Sequence, residues 1–158
     1  MHTIYMSVGE TMKQALVMVL LCFGLLGFGS ARAIDNPDSL GLLAAFEQRE
    51  QPYRATIDDP ANNSRDYARA YHAYQQFLDA ELNRVYGDLR RLLPPAAADA
   101  LRDAQRHWLA FRDTEFDFIA ANWNRHQFGS SAPMSQGAYR CALIRARVVQ
   151  LLAYRINY

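Results

Sequence analysis

The stretch SRDYARAYHAYQQFLDAELNRVYGDLRRL, residues 64–92, decides the fold. Its large apolar side chains, Tyr67, Tyr71, Tyr74, Leu78, Leu82, Val85, Leu89 and Leu92, recur at steps of three and four. That spacing puts them on one face of an α-helix and is sustained over about seven turns. A strand would need apolar residues at every second position, and no segment of the chain shows that alternation. Ser64 is the expected N-cap, with Asp66 in the first turn, where a carboxylate complements the helix dipole. Pro94-Pro95 ends the helix, because a proline ring cannot sit in a helix interior.

Downstream, Pro95 suits the first position of a second helix running to Trp123, with Leu101, Ala104, Trp108, Phe111, Phe118 and Ile119 toward one side. So short a connection turns the second helix antiparallel to the first. Residues 124–136 are polar and carry Gly129, Ser130, Ser131 and Pro133, which predicts a loop. A third helix is expected over 137–156, with Leu143, Ile144, Val148, Leu151 and Leu152 as its apolar side. Upstream, residues 40–46 could form a few helical turns, and Pro52, Pro60 and Asn62-Asn63 punctuate the chain between them and residue 64. The expected fold is all-α, an antiparallel bundle of three main helices with a short N-terminal helical segment.

The N-terminus has the form of an export leader. Within residues 12–33, a basic Lys13 precedes the apolar run 15–28, and Ala31-Arg32-Ala33 has the small-x-small pattern of a cleavage site. Residues 1–11 add no positive charge, which suits a working start at Met12. The apolar run is broken by Gly24, Gly27 and Gly29 and is shorter than the roughly 20 residues that span a bilayer, so removal is expected rather than anchoring. Leu21 before Cys22 argues against lipid attachment there. The expected division is a signal peptide at 1–33, an N-terminal segment at 34–63 and a helical domain at 64–158.

Residues 34–158 hold 15 arginines and 15 acidic residues, so no basic surface for nucleic acid or membrane is expected after cleavage. Lys13 is the only lysine and leaves with the leader, which excludes Schiff-base chemistry and a P-loop lysine. Cys141 is the only cysteine after the leader, so no intramolecular disulfide can form. His72, His107 and His126 form no short-spaced pair, so no metal site is expected. His107 follows Asp103 by four residues, an ordinary helix-surface pair. No serine sits in a nucleophile elbow, and Cys141 lies among apolar residues as an inert thiol would. No catalytic residue, cofactor or enzymatic activity is expected.

Two groups of residues stand out. Gln105, Trp108, Arg112 and Glu115 recur at three, four and three, so three polar groups share a helix face with a tryptophan. Each polar group buried unpaired costs roughly 1–3 kcal/mol, so partners are required, with Asn83 and Arg147 as the expected ones in a structural polar network. In the predicted loop, Arg125, His126 and Phe128 are large side chains without an apolar periodicity to absorb them, beside Gly129-Ser130-Ser131. With the helix stripes committed to packing, they are the candidates for binding a partner.

Leu82-Asn83, Tyr86 and Leu89, then Ala104-Gln105, Trp108, Phe111-Arg112-Asp113 and Glu115, then Gly129-Ser130, then Arg147 and Leu151 run in order over residues 71–151. In these the chain resembles the helical N-terminal domain of the lysozyme inhibitor LprI family. Members of that family often carry a cysteine directly after the glutamate and another before the final helix motif, as in a disulfide; Phe116 and Tyr139 stand there instead, and Ile144 replaces a usual threonine. The resemblance therefore implies a branch free of that cysteine pair, with aromatic packing in its place. It also implies a periplasmic or secreted binding protein of the cell envelope that inhibits lysozyme or another cationic wall hydrolase; the alternative is an exported interaction module with a different target and no inhibitory activity. Asp99, Asp103, Asp113 and Asp117 could meet a cationic partner, although balanced charge makes long-range steering weak.

Overall fold

The computed structural model describes residues 37–156, so the expected leader and its cleavage site lie outside the described residues. Helix α1 spans Pro37–Ile57, α2 Ser64–Leu92 and α3 Pro95–Asn122. A short helix α4, Arg125–Phe128, and a 3-10 turn, Gly129–Ser131, lead into α5, Ala132–Arg155. No strand occurs among the described residues, and the all-α bundle expected from the periodicity is the fold.

Three boundaries differ from the sequence reading. The N-cap of α2 is Asn63 rather than Ser64: its side chain accepts from the Arg65 and Asp66 amides at 2.9 and 3.2 Å, and the Asp66 carboxylate accepts from the Asn63 amide at 3.1 Å. This reciprocal capping box leaves Ser64 inside the helix. The N-terminal helix extends well past residue 46 and continues through Pro52. A proline there costs about 3 kcal/mol, but Phe46 before it is fully buried and Tyr53 and Ile57 after it pack on the core, so tertiary contacts outweigh the lost helix bond. Residues 124–136 are not an open loop, because Asn124 caps α4 by accepting from the Gln127 amide and α5 already begins at Ala132.

Consecutive long helices alternate in direction, so α2 and α5 run parallel and form the central pair. The Cys141 thiol donates to the Tyr71 carbonyl near the start of both, and Arg155 pairs with Asp88 at 3.2 Å near the end of both. The helices touch most closely at Gly137, where a Cβ would lie 2.5 Å from the Tyr71 Cβ. The core is built mainly from this pair: Leu78, Val85 and Leu89 of α2 meet Ile144, Val148 and Leu151 of α5, and α1 adds Phe46.

Helix α3 packs on the same pair through a narrow line in which only Leu101, Gln105 and Ile119 are buried. This corrects the expected apolar side. Phe111 and Phe118 are 49% and 55% exposed, and Ala104 is exposed as well. Each phenylalanine lies one residue, about 100° of helix rotation, from an inward-facing neighbour, Arg112 or Ile119. The contact with α2 and α5 is too narrow to cover them.

Candidate functional site

Of the five residues expected in one polar network, two are joined directly. Arg147 Nε donates to Gln105 Oε1 at 3.0 Å, and Arg147 Nη1 donates to Gln150 Oε1 at 2.6 Å. The Arg147 guanidinium also lies 5.7 Å from the Trp108 ring centre, and burial pushes its pKa down. Its Nη2 is buried without a hydrogen-bond partner among the described residues.

Arg112 lies apart from that pair. It donates to Asp113 Oδ1 at 2.9 and 2.7 Å, approaches Asp79 at 3.8 Å and sits 5.8 and 5.6 Å from the rings of Trp108 and Phe116. Burial raises the Asp79 pKa by more than Arg112 and Gln75 lower it. Asn83 is exposed and makes no side-chain hydrogen bond among the described residues. Glu115 is partly buried and, among the described residues, neither accepts a hydrogen bond nor pairs with a cation. Among the described residues neither expected partner, Asn83 or Arg147, bonds to Arg112 or Glu115, and the adjacent Asp113 takes the Arg112 guanidinium.

Sequence reasoning missed the interactions that hold α1. Glu50, 1% exposed, receives Arg145 Nε at 2.7 Å and Nη2 at 3.0 Å from α5, and the Tyr74 hydroxyl from α2. Burial and the Glu50 carboxylate together raise the Tyr74 pKa strongly. Nearby on the same helix pair, Arg49 and Arg84 both grip Glu81 at 2.7 Å; burial pushes that carboxyl up, but the two guanidiniums outweigh it and hold it below the ordinary range. A signal for α1 is present in the sequence: Phe46, Glu50, Tyr53 and Ile57 are spaced by four, three and four, which places Glu50 on the buried stripe once α1 is extended.

Near the start of α5 a group of aromatic side chains is exposed or half-buried. Phe118 meets the Trp123 ring edge-on at 6.0 Å, and Trp123 lies 4.2 Å from Tyr139, itself 48% exposed. Arg125, His126 and Phe128 of the predicted partner-binding loop are all exposed on α4, Phe128 by 42%. The premise that the helix faces are committed to packing fails here, since Phe111 and Phe118 are more exposed than Phe128. Phe116, one of the two residues standing where the family's cysteines are usual, lies 5.2 Å from the Arg140 guanidinium and belongs to a different cluster from Tyr139. Asp103 pairs with Arg102 at 3.0 Å rather than hydrogen-bonding His107, and Asp99 pairs with the same arginine.

The described residues hold no group of three or more His, Cys, Asp or Glu that could bind a metal ion. Cys141 is free and buried, and burial followed by the Asp79 charge pushes its thiol up to about 12, far from nucleophilic. The family model for lysozyme inhibitor LprI matches residues 58–151, from just after α1 through most of α5. The match covers more than half of the chain, and the chain belongs to this family. No curated protein and no solved structure matches it.

Proposed function

We propose that this protein is exported, loses its leader after Ala33, and acts in the periplasm or outside the cell as a binding protein that inhibits lysozyme or another cationic wall hydrolase by covering its cleft. The family match over residues 58–151 carries this reading. Its support in the structure is a rigid scaffold with an exposed aromatic region along α3, Trp123, α4 and Tyr139. No described helix is long and apolar enough to cross a membrane. The Gln105–Arg147 pair, and separately Arg112, are assigned structural roles, and Arg125, His126 and Phe128 are assigned to the rim of the binding region. Intact mass of the exported protein, with capture of lysozyme from an envelope extract, tests both halves. A species that retains residues 12–33, or one that leaves lysozyme in the unbound fraction, contradicts them.

A further inference from the structure

We propose that the shoulder of α3 formed by Phe111, Glu115 and Phe118 receives arginine or lysine side chains of a cationic protein partner. This deepens the proposed function and rests on it for the identity of the partner. The three residues are spaced by four and three, so they form one line about 10 Å long. Both rings are about half exposed, and Phe118 connects through Trp123 to exposed Tyr139. Contiguous apolar exposure of this kind marks interaction surfaces on soluble proteins.

The carboxylate between the rings is the second observation. The buried carboxylates of the bundle are held: Glu81 by two arginines, Glu50 by Arg145 and Tyr74, and the partly buried Asp88 by Arg84, Arg91 and Arg155. Glu115 and Asp117 have no cation or hydrogen-bond donor among the described residues. The nearest cation on the helix, Arg112, is bonded to Asp113 and turned onto the Trp108 and Phe116 rings. An incoming guanidinium can therefore lie over a phenylalanine ring while donating to Glu115, which combines stacking with a charge-assisted hydrogen bond. An ammonium can do the same as a point charge. Polyanions are repelled by the same carboxylates, and an antiparallel second copy would bring Glu115 and Asp117 against their own counterparts.

The test measures affinity of the full exported protein for a lysozyme and, separately, amide shifts on titration with tri-arginine amide. Glu115→Gln should weaken lysozyme binding roughly tenfold, about the loss of one charge-assisted bond. Phe111→Ser with Phe118→Ser should weaken it further; the melting temperature should be unchanged in Glu115→Gln, whose carboxylate has no partner among the described residues, and should fall modestly in the double variant, whose rings are half-buried. Glu115→Gln is isosteric and keeps the test valid if the double variant fails to fold. Undiminished binding by Glu115→Gln and the folded double variant overturns the shoulder while leaving the proposed function intact. If the wild type binds no lysozyme, the proposed function fails and the peptide decides the shoulder: shifts confined to residues 111–118 and lost in Glu115→Gln support it, and shifts elsewhere or none overturn it. Self-association through this face, abolished by the same substitutions, would also overturn it.

Discussion

Gly137→Ala should destabilise the protein even though it improves intrinsic helix propensity. A Cβ at Gly137 would lie 2.5 Å from Tyr71 Cβ and 2.6 Å from its Cγ. Ordinary carbon contacts are about 3.5–4.0 Å, so α2 and α5 must part by about 1 Å. Tyr71 Cβ is fixed to its backbone, and no rotamer change relieves the contact. Overpacking of this kind costs about 1–3 kcal/mol, while replacing a helical glycine by alanine returns up to about 1 kcal/mol. The net loss is about 1–2 kcal/mol, which lowers Tm by roughly 3–6 °C per kcal/mol in a domain of this size. Gly87→Ala is the control, because the nearest atom there is the end of the Arg91 side chain at 3.7 Å, and it should stabilise by up to about 1 kcal/mol. Thermal and urea unfolding followed by circular dichroism give both signs. If the two substitutions shift stability in the same direction, the close approach of α2 and α5 is not as described.

Arg145→Ala should cost about 3 kcal/mol in urea unfolding, because it strands the Glu50 carboxylate in the core with the Tyr74 hydroxyl alone. Glu50→Ala should cost less, about 2 kcal/mol, because Arg145 is about one-third exposed and water can reach it; equal or reversed costs would refute that asymmetry. Glu81 has a folded-state pKa below its unfolded value, so its contribution is complete above the ordinary carboxylate range and is lost as pH falls through the depressed pKa. Glu81→Gln should accordingly flatten the acid limb of the stability profile below roughly pH 4, as read from urea midpoints across pH. The Cys141 thiol should resist alkylation in the native protein and react at the rate of a free thiol once urea unfolds it, as followed by mass spectrometry.

The apolar series from Tyr74 to Leu89 is legible in the sequence because five of its members, at steps of three and four, are buried in one stripe. Helix α5 is readable for the same reason through Ile144, Val148 and Leu151, although its start is not, since a proline such as Pro133 is tolerated in a first turn yet has the look of a loop residue. Helix α1 is harder. Its stripe contains the charged Glu50, and a buried carboxylate looks polar in sequence until its partners, 24 and 95 residues away, are brought beside it. On α3 the sequence shows which residues are aromatic but not how wide a face its neighbours cover, so Phe111 and Phe118 read as core. The Gln105–Arg147 bond is expected from the need to satisfy buried polar groups, whereas spacing alone does not reveal that Arg112 turns to the adjacent Asp113 and leaves Glu115 without a partner among the described residues. The difference matters for function, since the carboxylate left over is the one framed by the exposed rings.

The most direct test of the central claim is the rate at which lysozyme clears a peptidoglycan suspension as the exported protein is added. Inhibition that rises with concentration and saturates at a fixed molar ratio, weakened by Glu115→Gln without a change in Tm, is the predicted result. An unchanged clearing rate at large molar excess of the folded wild-type protein would contradict it.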